Sequence, residues 1–401
     1  MPKNKHLPYL NSVVTPLFRT ATYYFEDTDD VVNYHEGNTL KKGRYGRYHN
    51  PNWEEVEERL AKLDNCESAL LFPSGMAAIT TTFLAFLKKG DSIIFTENGY
   101  RKIRSFCLTI LNSLGVNIYP ASHKELMDYA SFINKHNIER VRIVFVEMPS
   151  NPHLHLVDIE RIAKVKSPET LLVIDSSFAS PMNFKPQIFG ADLVLHSCTK
   201  YLSGQGDILA GSVAGSQSNI GKIRVLRDMM GSISDANTAF LLNRSLHTLS
   251  MRMDHYNKNG FKLARYLQNH PMVKKVYYTG LDDFEFSDLA YKYLAGHGGV
   301  VSFELDANEI QTTCFVENLQ IPYIGSNFGA VFSLVEQCGI FTYFKLSDQE
   351  RKKLNISDSF IRYSIGFEPV EIIIEDFEQA FRETFDYEEE IHQINDIEIH
   401  R

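Results

Sequence analysis

A lysine follows an apolar run in the segment LHSCTKYLSGQGD, residues 195–207. Lys200 has two hydroxyl residues beside it, Ser197 and Thr199, and a glycine-rich stretch after it. Burying an ammonium group is costly unless it is paired, so most lysines lie on solvated surfaces. Two interpretations follow: Lys200 is an ordinary surface lysine beyond the end of a strand, or its amine is partly buried, neutral and reactive.

Four apolar runs have the length and composition of buried strands: SIIF (92–95), RIVFVE (142–147), LLVID (171–175) and DLVLHS (192–197). Helical patterns separate them, which favours a mostly parallel sheet covered on both faces. Tyr100, Asn151 and Asp175 lie at or after the ends of the first three runs. Lys200 follows the fourth. Ligands of such sheets bind outside the carboxyl ends of the strands, so we expect these four residues to converge.

The segment PSGMAAI (73–79) opens a helix. Its first amide groups, at Gly75 and Met76, suit a phosphate, although such a segment is more often a simple helix cap. Asp175 suits a protonated ring nitrogen, and Lys200 suits a Schiff base with an aldehyde. Tyr100 suits stacking on a flat ring. A phosphate, a pyridinium and an aldehyde together describe pyridoxal 5'-phosphate (PLP), whose ring an Asp turns into an electron sink.

The elements around these residues divide the chain into three parts. Residues 1–50 form a polar, aromatic arm without a core of its own, 51–245 form a large PLP-binding domain, and 246–401 form a smaller α+β domain. Helices are predicted over 52–64 with Asn52 as N-cap, over 76–89, 158–165 and about 235–270, and from about 370 into the acidic tail. Strands are predicted over 298–305 and 359–367.

The chain resembles the cystathionine γ-synthase/γ-lyase family, the Cys/Met-metabolism group of fold-type I PLP enzymes. The most specific motif is DLVLHSCTKYLSGQGDILAG, which is similar to the family pattern D-x-V-x-H-S-x-T-K-Y-x-x-G-H-x-D. YGRYHNP, FPSGMAAI, EMPSNP and VIDSSFASP also match. The resemblance runs from TPLFRTATYYF (15–25) to FIRYSIGFE (360–368). It implies an α/β fold-type I enzyme.

The resemblance also implies a role for each matching position. Lys200 corresponds to the Schiff-base lysine and proton shuttle, Asp175 to the pyridinium partner, and Tyr100 to the stacking tyrosine that acts in acid–base chemistry. The phosphate ligands correspond to Gly75, Met76, Ser197 and Thr199, and the pair that reaches this phosphate from a neighbouring subunit corresponds to Tyr45 and Arg47. Asn151 corresponds to the neighbour of the ring 3-hydroxyl. The contacts of the substrate correspond to Arg362, Ser326 and Arg104. An obligate dimer follows, commonly part of a homotetramer.

Several of these residues have simpler explanations. The simpler interpretation of Arg362 is a surface arginine, but its place within an apolar strand favours a bidentate contact to a carboxylate. The simpler interpretation of Tyr100 is a core residue. That of Arg47 is membership of a solvated run with Lys41, Lys42 and Arg44.

Two segments depart from the family pattern. After Tyr100 the chain has Arg101, Lys102 and Arg104 in place of a neutral stretch, which is either a solvated face or an attractor for an anionic ester. In SNFGAVFSLVE a family glutamate that holds the amine of cysteine becomes Val331 or Phe332. This change puts cysteine in doubt as the co-substrate.

The first functional hypothesis is a PLP-dependent transferase that replaces the γ-substituent of an activated homoserine, an O-acyl or O-phospho ester, through a vinylglycine-type intermediate. The second is a γ- or β-lyase cleaving cystathionine, methionine or an analogue. The third is a non-catalytic PLP-binding protein, which the match at Lys200, Asp175 and Arg362 disfavours. All are cytoplasmic proteins of amino-acid metabolism with small-molecule ligands.

Composition excludes other classes. The net charge of −9 disfavours nucleic acid, which requires a basic face, and no apolar run is long enough to span a membrane. The first residues, MPKNKHLPYLNSVV, lack the apolar stretch of a secretory signal, so we expect them not to be one. The 5 scattered cysteines indicate reduced thiols. His153 and His155 have no third ligand nearby in sequence, so we expect no metal.

Overall fold

The structure is a computed structural model that describes residues 12–39 and 43–385. The strands in this part of the chain are β1 (Ser68–Phe72), β2 (Ser92–Thr96), β3 (Asn117–Ala121), β4 (Val141–Glu147), β5 (Leu171–Asp175), β6 (Leu193–His196), β7 (Gly211–Gly215), β8 (Val273–Tyr277), β9 (Val300–Leu305), β10 (Tyr323–Ile324), β11 (Leu334–Gln337) and β12 (Phe360–Ser364).

The α-helices described are α1 (Thr28–Glu36), α2 (Pro51–Leu63), α3 (Gly75–Phe86), α4 (Arg101–Phe106), α5 (His123–Met127), α6 (Tyr129–His136), α7 (Ile159–Val165), α8 (Ser180–Asn183), α9 (Gln217–Met230), α10 (Ala236–Leu246), α11 (Leu249–Asn269), α12 (Ser287–Tyr293), α13 (Glu309–Asn318), α14 (Asp348–Lys353) and α15 (Val370–Phe385). A π-helical segment, Cys107–Leu111, continues α4, and Pro186–Phe189 forms a 3-10 turn.

A seven-stranded sheet has the order β1-β7-β6-β5-β4-β2-β3. The pairs β2–β3, β2–β4, β4–β5 and β5–β6 are parallel, whereas β7 runs antiparallel to both of its neighbours. The predicted α/β architecture with a mostly parallel sheet is confirmed. The four strands predicted here are all present, and β1, β3 and β7 are additional.

Both faces of this sheet are buried, which explains why its strands are continuously apolar. Ile93 and Phe95 of β2 pack on the side of α3 and α9, where Phe83 meets Phe145 edge to face with ring centroids 5.3 Å apart. Ile94 points to the opposite side and joins a core with residues of α6, α7 and α12.

The last third of the chain contains a five-stranded sheet of order β10-β11-β12-β9-β8. All its pairs are antiparallel except β10–β11. Helices α11, α13 and α15 cover it through an aromatic core that includes Phe303, Phe315 and Phe377. This arrangement agrees with a smaller α+β unit, while the boundary at residues 245/246 remains a prediction.

The start of α2 differs from the prediction. Asn50, not Asn52, caps the helix and accepts a hydrogen bond from the Asn52 amide at 2.9 Å. Pro51 needs no amide partner and suits the first helical turn, so the helix begins earlier. The Asn52 side chain instead holds the arm: it donates to the Pro16 carbonyl and accepts from the Phe18 amide, both at 2.9 Å.

Two further elements depart from the sequence-based outline. The arm contains a helix, α1, which Asp27 caps by accepting from the amide of Asp30. The long segment 235–270 is two helices, because the chain turns at His247 and Thr248. Helix α15 is described as far as Phe385, and the acidic tail into which it is predicted to continue lies outside the described residues. None of the described helices has the length and hydropathy needed to cross a membrane.

Candidate active site

The carboxyl ends of β4, β5 and β6 lie side by side at one edge of the large sheet. Glu147 is in register with Asp175, and Asp175 with Leu195. The polypeptide leaves these ends directly into the segments that carry Asn151 and Lys200. Tyr100 joins them from the end of β2, because its amide donates to the Glu147 carboxylate at 2.7 Å. The structure therefore brings these predicted residues to one place.

Lys200 is partly buried in a turn after β6. Burial, together with the positive charge of Arg362, lowers the pKa of its amine to about 8, while Glu336 and Asp175 oppose this shift. The amine donates to the side-chain oxygen of Asn327. These surroundings favour the partly buried, neutral amine over the surface lysine of the alternative interpretation, while its bond to an aldehyde remains a prediction.

Asp175 is buried beside a second carboxyl group, Glu147. Burial raises the pKa of both groups, and the charge of Asp175 raises the pKa of Glu147 further. Asp175 accepts from the Ser177 amide at 3.0 Å. Glu147 accepts from the amides of Tyr100 and Asn151, each at 2.7 Å. A cation placed at this pair is strongly stabilised, which is what a protonated ring nitrogen requires.

The start of α3 faces the segment after β6. A Cβ atom on Gly75 would lie 3.0 Å from the Cβ of Ser197, so a larger residue at position 75 would crowd Ser197. Ser74 caps the helix by accepting from the Ala77 amide at 3.0 Å. The first amides of a helix lack partners within it, and those of Gly75 and Met76 thus open beside the Ser197 hydroxyl.

The other predicted phosphate ligand, Thr199, has backbone partners. Its hydroxyl donates to the Ala210 carbonyl at 3.2 Å and accepts from the Ala210 amide at 2.9 Å. Its role toward phosphate remains a prediction. The Ser197 amide donates to the Ser177 hydroxyl at 2.6 Å, which ties the segment after β6 to the one after β5.

Arg362 lies in the middle of β12, as predicted, and its side chain is buried. One guanidinium nitrogen donates to Oδ1 of Asn151 at 2.8 Å and another to Oε2 of Glu336 at 2.8 Å. The guanidinium thereby joins the two sheets at the site. Asn151 contacts Arg362 here, and its predicted place near a ring hydroxyl remains a prediction.

A polar chain continues from Glu336. Its other carboxylate oxygen accepts from the Thr342 hydroxyl, and that hydroxyl lies 3.4 Å from the Ser326 hydroxyl. Ser326 is exposed and therefore reaches the neighbourhood of Arg362 only through Thr342 and Glu336. Its predicted contact to the substrate carboxylate is untested.

The basic residues after Tyr100 play different parts. Arg101 donates to the Thr342 carbonyl at 2.5 Å and stacks over the Tyr343 ring, so it ties α4 to the segment after β11. Arg104 lines a cleft of about 170 Å³ together with Arg101 and Lys353. Gly99, which precedes the predicted site residue Tyr100, and Pro152, which follows the predicted site residue Asn151, line it as well.

The arm residues Tyr45 and Arg47 contact each other within one chain. The Arg47 guanidinium lies over the rings of Tyr45 and Tyr48 and donates to the Tyr48 hydroxyl at 2.9 Å. Their predicted contact is with the phosphate of a neighbouring subunit, and it stays a prediction.

Sequence reasoning missed three residues of this site. Glu147 ends a strand beside Asp175, so the rule that selected Asp175 selects Glu147 equally well. Glu336 is a carboxylate inside the apolar run SLVEQC, a signal that asks for a buried cationic partner. Asn327 sits in an irregular segment, and no sequence signal points to its contact with Lys200.

Comparison with known proteins identifies the family of this site. The sequence model described as "Cys/Met metabolism PLP-dependent enzyme" matches residues 2–382. The chain belongs to this family.

The chain is 37% identical to cystathionine gamma-synthase 1, chloroplastic, of Arabidopsis thaliana over 371 residues, which are 92% of the chain and 65% of that relative. It is 32% identical to the L-methionine gamma-lyase of Pseudomonas putida over 374 residues, 92% of the chain and 93% of that enzyme. The crystal structure of cystathionine gamma-lyase from Lactobacillus plantarum complexed with L-serine matches with a TM-score of 0.83 at 31% identity, covering 92% and 93% of the two chains. This similarity confirms the fold-type I architecture.

Family membership implies PLP as the cofactor, and the residues present fit it. The glycine cradle at Gly75 and Ser197 suits its phosphate, and the buried carboxyl of Asp175 suits its ring nitrogen. Lys200 is the amine that would hold its aldehyde. When bound, PLP supplies an electron sink for carbanion chemistry on amino acids.

We predict that Glu147→Gln lowers kcat/KM by about 10- to 100-fold. An amide has one oxygen where the carboxylate has two, so either the Tyr100 or the Asn151 amide loses an acceptor worth about 1.5–3 kcal/mol. Steady-state kinetics and melting temperature measure the effect. The exposed Glu169→Gln serves as the control. An unchanged kcat/KM in Glu147→Gln excludes the positioning role.

We also predict that the rate of PLP uptake by the cofactor-free enzyme rises with pH through about 8, the lowered pKa of Lys200. Only the neutral amine attacks an aldehyde, so uptake follows its neutral fraction. Stopped-flow absorbance of the yellow band reports the rate. Lys200→Ala gives no such phase. A rate still rising tenfold per pH unit above pH 9, toward the ordinary lysine pKa, contradicts the prediction.

Proposed function

We propose that the protein is a PLP-dependent γ-replacement enzyme acting on an activated homoserine, an O-acyl or O-phospho ester, as cystathionine γ-synthases do. The observation that carries this proposal is the cleft lined by Arg104, which lies next to the residues flanking Tyr100 and Asn151. An anionic group on the far end of a homoserine ester needs such a cationic wall. Cystathionine gamma-synthases among the relatives support the same activity.

The charges in the cleft support an anionic ligand. Of its two carboxylates, Glu97 is 3.6 Å from the Lys353 ammonium, and Glu350 accepts from the amide and hydroxyl of Ser347. Among the described residues, no carboxylate lies within ion-pair distance of Arg104. Hydrogen bonds with Ser347 and, after them, the charges of Arg101 and Arg104 lower the pKa of Glu350, so Arg104 feels this carboxylate without an ion pair and its guanidinium can still bind a phosphate or carboxylate of the substrate.

The residues divide the work of the reaction. The guanidinium of Arg362 holds the substrate α-carboxylate, with its planar fork already oriented by Asn151 and Glu336. This contact fixes the direction of the Cα–H bond. The Nζ atom of Lys200, which a pKa of about 8 leaves half neutral at that pH, receives the proton from Cα and carries protons to neighbouring carbons. The Tyr100 ring, half-exposed at the mouth, restricts water.

A γ-lyase is the second candidate, and Phe332 favours it. The ring of Phe332 lies against Gly206, in the loop after Lys200, since a Cβ on Gly206 would be 2.8 Å from it. An aromatic wall suits an apolar chain such as that of methionine better than the amine of a second amino acid. Methionine gamma-lyases are among the relatives.

We further propose a homo-oligomer, at least a dimer and in full a tetramer, working in the cytoplasm. The Arg47 Nε is buried without a hydrogen-bond partner in one chain, and Val13, Val14 and Tyr24 of the arm are exposed, as expected of a segment that covers another subunit. Five free cysteines suit a reducing compartment. Sedimentation velocity distinguishes these assemblies from a monomer, which would contradict the proposal.

The decisive experiment offers the purified enzyme O-acetyl-, O-succinyl- and O-phosphohomoserine, cystathionine and methionine. We expect 2-oxobutyrate from at least one ester without a thiol, and less of it when a thiol competes as nucleophile and forms a thioether. Oxo acid from cystathionine or methionine, but from none of the esters, rejects the transferase and supports the lyase.

The role of the cleft has a test of its own. We expect Arg104→Gln to raise KM for O-phosphohomoserine by at least about tenfold, the value of one charge-assisted hydrogen bond. KM for the uncharged O-acetyl ester stays within about twofold, and the exposed Arg161→Gln changes neither. Equal changes for both esters contradict recognition of the anionic group.

A further inference from the structure

Three side chains with metal-binding chemistry meet outside the strand-end site. They are His123, the first residue of α5; His155, in the segment after β4; and Glu285, shortly before α12. Their ligand atoms all lie within 4.8 Å of one another. The proposed reaction uses none of them, so the cluster needs a separate explanation.

The two histidines carry nitrogens without partners. Both rings are buried, with His123 8% and His155 7% exposed. Both ring nitrogens of His123 and Nδ1 of His155 lack a hydrogen bond. Nearly all buried polar side-chain atoms in proteins are hydrogen-bonded, and each exception calls for a reason such as a missing ion. Packing against Phe286 explains where the rings lie, but it gives the nitrogens no partner.

The cluster has the neutral imidazoles and the negative carboxylate that a metal ion requires of its ligands. Burial lowers the pKa of His123 to about 4 and that of His155 to about 2, so both imidazoles present lone pairs at neutral pH. Glu285 supplies the negative charge and opens to solvent, where the Lys124 ammonium lies 2.9 Å from it. Lys124 is thus a cation already held at the mouth of the cluster.

We propose that His123, His155 and Glu285 form a binding site for a divalent transition metal, with zinc as the best match. Two imidazoles and one carboxylate are a common zinc set, completed by water. Tetrahedral zinc needs ligand atoms about 3.3 Å apart, so side chains whose ligand atoms lie within 4.8 Å of one another have to close in slightly around the ion. This proposal departs from our expectation of no metal, because the third ligand is 130 residues from His155 in sequence.

A metal here would brace the active-site loop. The Ser150 amide donates to the His155 carbonyl at 3.1 Å, and the His155 amide donates to the Ser150 hydroxyl at 3.1 Å. These bonds close a short loop that contains Asn151, the partner of Arg362. The ion would link this loop to α5 and to the segment before α12, outside the catalytic residues.

The test is titration of the tag-free holoenzyme with Co²⁺ as a stand-in for zinc. We expect one Co²⁺ per chain, with tetrahedral absorption bands at longer wavelength than the yellow cofactor band. The bands disappear in His123→Asn and in His155→Gln, and they persist in the control His136→Ala, an exposed histidine on α6. Absence of bands in the unmutated enzyme, or their persistence in His155→Gln, overturns the proposal.

Two surface variants keep the test informative if the buried variants misfold. Glu285→Ala removes a ligand, and we expect Co²⁺ affinity to fall by at least about tenfold. Lys124→Ala removes the competing ammonium, and we expect affinity to rise. Affinity in Glu285→Ala equal to that of the unmutated enzyme overturns the assignment of Glu285, and with it the three-ligand site.

Discussion

The site depends on one constraint: two buried carboxyl groups lie side by side at the ends of neighbouring strands. Asp175 and Glu147 are buried side by side, and each makes charge on the other costly. The fold offsets this cost with amides: Ser177 donates to Asp175, while Tyr100 and Asn151 donate to Glu147. The amides that stabilise the pair therefore belong to the same segments that carry the predicted site residues. The ring nitrogen of PLP, if Asp175 holds it as predicted, would complete this balance with a positive charge and so link cofactor retention to the geometry of these segments.

Behind this pair lies a second layer of buried charge. His196 and Asp64 are 2.9 Å apart and fully buried. Burial lowers the His196 pKa, but Asp64, Asp175 and a hydrogen bond with the Ser176 backbone together raise it by more, so the net shift is upward. A positive imidazole beneath Asp175 favours the ionised carboxylate there. The order of charges, from Asp64 through His196 to Asp175, is set by the strand β6 and its neighbours.

The sequence predicted most of the large sheet because its strands are buried on both faces and read as unbroken apolar runs. Residues placed at the ends of those strands, such as Asp175 and Lys200, followed from the sheet's geometry and from the family resemblance. The polar chain from Arg362 through Glu336 and Thr342 could not be predicted, since it depends on how β11 pairs with β12. The metal-like cluster likewise joins residues that only tertiary packing brings together. Even a helix cap was mispredicted at Asn52, because the side chain of Asn52 binds the arm and Asn50 caps the helix.

The guanidinium of Arg362 spans the seam between the two sheets, with Asn151 on one side and Glu336 on the other. Arg101 crosses the same seam at Thr342. An amino acid whose carboxylate binds Arg362 would therefore affect the contacts of both sheets at once. Substitutions along this seam would therefore alter which amino acid is accepted while leaving the sheet edge that carries Asp175 and Lys200 in place.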